Sequence, residues 1–174
     1  RRLPGGIYLE GDSIISELSG ERETVADTGE LKILGIHNYE NAMAAAAVSS
    51  AMGVPMEVIR KALREFQAVE HRIEFVTEKD GVAYYNDSKG TNPDAAIRGI
   101  CAMVRPTVLI AGGYDKGSAY GGWLEACRGR VKKLILLGAT AEKIAEEAGR
   151  LGFTELSLAS SMEEAVELAK EAAE

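Results

Sequence analysis

No run of apolar residues in this chain is long enough to cross a bilayer, so membrane insertion is not expected. Cysteine is scarce: Cys101 and Cys127 are the only two, both fall in segments that read as helical, and their spacing fits no metal site. Two such thiols suit a reducing compartment, and no chemistry is assigned to them. Positive charge is also in short supply, with 20 Lys and Arg against 27 Asp and Glu and a formal net charge of -7. That balance argues against a nucleic-acid backbone as partner, because non-specific phosphate binding needs a clustered cationic excess. The Arg1-Arg2-Leu3-Pro4 opening lacks the apolar core of a signal peptide, and a cytoplasmic location is the expectation. Internal repeats and low-complexity tracts are missing too. What is present is a globular composition, 174 residues of which 46% are hydrophobic, enough to bury a core in one or two domains.

Residues 1–35 carry short β-type runs, Ile7-Tyr8-Leu9-Glu10 and Leu31-Lys32-Ile33-Leu34, that read as the edge of a sheet. An alanine-rich helix follows over residues 38–52, stopped by Gly53, and Pro55 opens a second helix to about Phe66. Near residue 70 the pattern changes, and a domain boundary is placed there. Residues 73–77 and 82–86 flank Lys79-Asp80-Gly81, where Asp-Gly is a strong hairpin signal. Beyond it, helices at 93–104, around 123–127, at 141–151 and from 162 onward alternate with strands at 107–111, 133–137 and 155–158. Strands alternating with helices predict an α/β fold with a mainly parallel, Rossmann-like sheet and flanking helices. The chain begins without methionine, inside what reads as a β-rich region, and is expected to be a piece of a longer protein.

Four segments carry chemistry. Asp87-Ser88-Lys89-Gly90-Thr91-Asn92-Pro93 joins a strand to a helix and combines a carboxylate, a cation and a helix start, with Asn92 as cap and Pro93 at the first position. Free N–H groups at such a start attract phosphate or carboxylate. A solvated, capped loop accounts for Asn92 and Pro93 but leaves Lys89 and Thr91 unexplained. Gly112-Gly113-Tyr114-Asp115-Lys116-Gly117 follows a buried-type strand, at the strand end where open parallel sheets bind ligands. On its own Gly-Gly there is a tight turn; Lys116 adds a second cation that could face the same anion as Lys89. In His37-Asn38-Tyr39-Glu40-Asn41, Asn38 could simply cap a helix, or Asn38 and Asn41 could read a purine edge with their amides. His71-Arg72 is either a surface pair or a phosphate clamp.

Taken in order, His37-Asn38-x-x-Asn41 before an Ala-rich helix, His71-Arg72-Ile73-Glu74 and Asp87-Ser88-Lys89-Gly90-Thr91-Asn92 resemble the Mur ligase family, and within it the branch that adds D-glutamate. The resemblance implies that residues 1–70 are the end of a central ATP-binding domain and residues 71–174 most of a Rossmann-like C-terminal amino-acid-binding domain. It further implies an ATP-dependent amide-bond ligase of peptidoglycan precursor synthesis, acting as a monomer on ATP, magnesium, UDP-N-acetylmuramoyl-L-alanine and D-glutamate through an acyl phosphate. By position, Asn38 would lie near the adenine, Asn41 would contact the nucleotide, Arg72 its phosphates and Asp87 its ribose. Lys89, Thr91 and Lys116 would hold the D-glutamate carboxylates, with Ser88 lining the same pocket. No catalytic residue or magnesium ligand is assigned within the chain, and no Gly-x-x-x-x-Gly-Lys-Ser/Thr phosphate loop occurs in it, so these residues alone are expected to be inactive. Gly90 stands where alanine is also common in the family, an exchange expected to be neutral. A folylpolyglutamate synthase-like ligase for another acidic amino acid, and a non-catalytic nucleotide-binding module, are the alternatives.

Overall fold

The computed structural model describes residues 4–173; the Arg1-Arg2-Leu3 part of the opening and Glu174 lie outside the described residues. The chain divides into two compact units between Glu74 and Phe75.

In the first unit, β1 (Ile7–Glu10), β2 (Ser13–Ser16) and β3 (Glu23–Asp27) form an antiparallel meander in that order. Ile7, Ile14, Val25 and Ala26 supply its buried face. Ile14 and Ile15 are both buried although neighbours in a strand point to opposite faces, and a register shift between them marks the irregularity. Helix α1 (Ile36–Ala51) presents Ala42 and Ala46 to this core, so its backbone can approach closely, and Ile59 of α2 (Met56–Glu65) joins them. Arg60 ties α2 to β3, donating to the Thr24 carbonyl at 2.9 Å and pairing with Glu23 at 2.6 Å. Residues 31–34, expected as a strand, form only a single parallel bridge from Lys32 to Gln67.

The second unit opens with β4 (Glu74–Lys79) and β5 (Val82–Asn86), paired through the Asp80-Gly81 turn, whose φ values of 53° and 79° are the positive pair that a type I′ turn requires. After α3 (Pro93–Ala102) comes a parallel sheet in the order β6 (Thr107–Gly112), β7 (Val131–Leu137), β8 (Leu156–Leu158), connected by α4 (Gly121–Cys127) and α5 (Ala141–Arg150). Leu134, Ile135 and Leu136 are fully buried in succession, which is how a strand covered on both faces reads. Trp123, Leu124, Ile144 and Ala148 pack onto them from α4 and α5, and α6 (Met162–Ala173) lies against β6 and β7. The helical and strand alternation expected from sequence is present, but the parallel sheet has three strands among the described residues, with β5 paired to β4 in a separate ladder.

Cys101 is exposed and Cys127 is fully buried, and burial pushes the Cys127 thiol up to about 12. Neither meets a metal-binding cluster among the described residues, and no described helix is long and apolar enough to cross a membrane.

The strand β6 ends on Gly112, with φ of 125°, where a Cβ would collide with the Leu137 carbonyl of β7. Gly112→Ala should therefore lower stability by about 3 kcal/mol, the upper range for forced overpacking, or prevent folding. Gly149, in α5 with open space where a Cβ would sit, is the control: Gly149→Ala should raise stability by about 0.5–1 kcal/mol. Urea unfolding of both variants checks the pair, and equal effects would refute the assignment of Gly112 as an obligatory close approach.

Candidate functional site

Two loops meet beyond the carboxyl ends of β6 and β7, and backbone hydrogen bonds fasten them to each other. Gly113 N–H donates to the Leu137 carbonyl at 3.1 Å, and the Gly113 carbonyl accepts from Thr140 N–H at 3.1 Å. Asp115 then shapes the remainder of the first loop. Its carboxylate accepts the Gly117 N–H at 2.8 Å and pairs with Lys143 of α5 at 3.1 Å, while the Lys143 ammonium sits 5.3 Å from the Tyr120 ring centroid. The Gly117 N–H first, and Lys143 second, hold the Asp115 carboxyl below its ordinary value. Lys116, next in sequence, is left pointing toward the turn that precedes α3, its Nζ 3.4 Å from the Thr91 carbonyl.

The Asp87 to Asn92 turn is built from local bonds. Asn86 Oδ1 accepts the Ser88 N–H at 3.1 Å, Gly90 N–H donates to the Asp87 carbonyl at 2.7 Å, and Thr91 N–H donates to the Lys89 carbonyl at 2.8 Å. Asn92 caps α3 as its sequence suggests, Oδ1 accepting the Ala95 N–H at 2.9 Å, with Pro93 in the first turn.

Between this turn and the loop after β6 lies a cavity of about 130 Å³. Gly90, Thr91, Asn92 and Pro93 form one side; Gly112, Tyr114, Lys116, Ser118 and Tyr120 form another; Trp123, Thr140 and Ile144 are also in its wall. Of the residues expected to hold an amino acid, the structure thus brings Thr91 and Lys116 together. Ser88 and Lys89 are exposed and are not in the wall. Asp87 is half-buried, its carboxylate turned toward α3: a Cβ on Gly99 would stand 2.6 Å from Asp87 Oδ2, and one on Gly90 2.8 Å. Alanine at position 90 is therefore not a free exchange, since the Asp87 carboxylate must move to admit it.

The residues expected near a nucleotide in the first unit are Asn38 and Asn41 on α1 and Arg72 after α2. The helix begins at Ile36 behind Gly35, so Asn38 is not its cap; its Nδ2 instead donates to the Leu34 carbonyl at 2.8 Å. Asn41 and Arg72 are exposed. His71 and Ile73, on either side of Arg72, both adopt positive φ, 66° and 47°, a costly conformation for a β-branched residue such as Ile73. His71 lies 3.7 Å from the Glu74 carboxylate, which also accepts the His71 backbone N–H at 2.8 Å.

Trp123, Thr140 and the Asp115–Lys143 pair escaped the sequence reading. Thr140 was within reach of it, because it follows a parallel strand at the carboxyl end. Trp123 reads as helix core and gives no separate signal.

Comparison with known proteins places these features. Residues 71–174 match the family model described as Mur ligase, glutamate ligase domain. The chain is 51% identical over 171 residues to a UDP-N-acetylmuramoylalanine--D-glutamate ligase of Lachnoclostridium phytofermentans, covering 98% of this chain and 38% of that protein. It is 49% identical over 173 residues to the protein of the same name from Thermoanaerobacter sp. strain X514, with coverage of 98% and 38%. The chain therefore spans about 38% of the length of these curated relatives. Among solved structures, MurF from Acinetobacter baumannii matches with a TM-score of 0.64 at 22% identity, over 95% of this chain and 37% of that one. A Mycobacterium tuberculosis folylpolyglutamate synthase complexed with ADP gives 0.64 at 15% identity, over 95% and 39%. At such identities the structural matches speak for the fold alone, while the matched domain model and the close relatives decide membership. The chain belongs to the Mur ligase family.

Proposed function

We propose that this chain is the amino-acid-binding part, with an adjoining piece of the ATP-binding part, of a cytoplasmic ligase that joins D-glutamate to UDP-N-acetylmuramoyl-L-alanine. The observation that carries the reading is the convergence of Thr91 and Lys116, from two separate loops, on one cavity. An acidic amino acid presents carboxylates, and the Lys116 ammonium, with Thr91 in the same wall, offers a charge-assisted donor to them. The names of the relatives at about 50% identity support D-glutamate over the other acidic amino acids.

When bound, ATP would supply the phosphoryl group that activates the substrate carboxylate as an acyl phosphate, leaving as ADP, and the amine of D-glutamate would then form the amide with loss of inorganic phosphate. The chain's own contribution is positioning. Lys116 and Thr91 hold the carboxylates so that the amine is free, and the Asp115–Lys143 strap fixes the loop from which Lys116 projects, which turns a bimolecular encounter into a held geometry. Lys89 and Ser88 border the same turn and would join the pocket through a change in the exposed loop. Asn41 and Arg72 are exposed and suited to an adenine and a phosphate, Asn38 keeps its amide oxygen as an acceptor, and Asp87 would reach a ribose hydroxyl by leaving its place beside Gly99. Among the described residues no three His, Cys, Asp or Glu side chains come together to hold a metal ion.

The full-length protein that carries this chain should release phosphate from ATP in the presence of magnesium, UDP-N-acetylmuramoyl-L-alanine and D-glutamate, and fail to do so when L-glutamate or diaminopimelate replaces D-glutamate. Release without regard to the amino acid would overturn the proposal. In the same assay Lys116→Ala should raise the KM for D-glutamate at least tenfold, as expected from about 1.5–3 kcal/mol for a lost charge-assisted bond, with the KM for ATP nearly unchanged. An unaltered KM for D-glutamate would remove Lys116 from the pocket.

The strap has its own signature. Because folding holds the Asp115 pKa below the ordinary value of 3.8, its contribution is complete above the ordinary carboxylate range and is lost as the pH falls through the depressed value. In an NMR titration, Lys143→Met should move the Asp115 midpoint upward yet leave it below the ordinary value, since the larger cause, the Gly117 N–H, remains. A midpoint unmoved by the substitution would show that the Lys143 pair does not form in solution.

A further inference from the structure

Two tyrosines stand in the wall of the cavity, in different circumstances. The Tyr120 ring packs edge-on against Trp123 at 6.3 Å between centroids and has the Lys143 ammonium 5.3 Å from its own centroid. Tyr114 is 84% exposed, and its ring makes no aromatic contact among the described residues. The backbone that carries it is nevertheless fastened on both sides, with Gly113 bonded to Leu137 and Thr140, and Asp115 held by Gly117 and Lys143. Single apolar side chains at a surface need no explanation. Val104, also 84% exposed, is one of these and lies outside the cavity wall. Tyr114 differs in its place, because it shares that wall with Lys116, the cation among the wall residues.

An acidic amino acid brings two kinds of surface to such a site, its carboxylates and the methylene carbons between them. Lys116 and Thr91 serve the first kind, and an aromatic ring serves the second. A ring and methylene groups that cover one another leave water together, with a gain that grows with the area removed. Covering the ligand also keeps water from the Lys116 ammonium, and a charge-assisted bond strengthens as the local dielectric falls. We propose that Tyr114 is a further substrate-binding residue of this site, its ring closing over the acidic amino acid seated between Thr91 and Lys116 and resting on the ligand's aliphatic carbons. The loop backbone is already in place, so closure needs only rotation of an exposed side chain, which is fast. The inference rests on the reading of the cavity as the amino-acid pocket. It adds an apolar contact to the polar ones.

The phosphate-release assay on the full-length protein tests this. Tyr114→Ala should raise the KM for D-glutamate about fivefold, as expected for partial loss of an aromatic contact, with kcat and the KM for ATP little changed. Tyr114→Phe, which keeps the ring, should bring the KM for D-glutamate back close to that of the unaltered protein. Val104→Ala, equally exposed but away from the cavity, is the control and should alter none of these values. Thermal melting of the Tyr114 variants should match the unaltered protein, because the side chain is exposed. If Tyr114→Ala keeps the KM for D-glutamate while Lys116→Ala raises it, the proposal fails and the pocket stands. If neither raises it, both fall. A KM for ATP that rises in step with that for D-glutamate, a clearly lowered melting temperature, or a Tyr114→Phe variant as weak as Tyr114→Ala also overturns the proposal.

Discussion

The close approach of β6 to β7 at their carboxyl ends is the constraint from which the rest of the site follows. Gly112 lies against the Leu137 carbonyl with no room for a side chain, and the bonds from Gly113 to Leu137 and from Thr140 to Gly113 continue that contact into the loops. A loop leaving a strand is ordinarily the least determined part of a fold. Here its first residues are held almost as firmly as the strands themselves, so that Lys116 projects from a fixed base.

Charge is distributed with the same economy. The chain is acidic as a whole, and an anionic ligand approaches against that background. Around the cavity, however, the negative charge of Asp115 is matched by Lys143, and the Lys143 ammonium also lies over the Tyr120 ring. With that pair closed on itself, Lys116 is the cation in the wall whose charge remains to be answered, its nearest bond being a long one to a backbone carbonyl. A local cationic site inside an acidic protein discriminates by position, and its attraction fades within roughly 10 Å at ordinary ionic strength.

Much of this was legible in the chain because local rules agreed with the final structure. Asp80-Gly81 specified its turn through the positive φ values it tolerates, and Asn92-Pro93 specified the start of α3 through a cap and a residue that needs no donor. The alternation of apolar strands and amphipathic helices from residue 107 onward gave the parallel sheet. What could not be read depends on pairing at a distance. Residues 31–34 have the composition of a strand yet meet only Gln67. Gly35, with φ of 92°, starts α1 two residues earlier than the polar pattern implied, which turns Asn38 from a cap into a tether to Leu34. In the site itself Lys116 and Lys89 look alike in sequence, and only the fold decides which of them lines the cavity. Trp123 was hidden because a large apolar ring in a helix is the usual sign of core.

The two thiols differ in a way that composition alone does not suggest. Cys127 is shut inside the core between α4 and the sheet, its ionisation pushed to about 12, and so presents almost no thiolate at neutral pH. Cys101 stands exposed near the end of α3, the helix whose other end borders the cavity. The native chain is thereby equipped for single-site chemical labelling without any substitution. A dye or spin probe attached through Cys101 would ride on α3 and report on its position relative to other labelled points as ligands come and go.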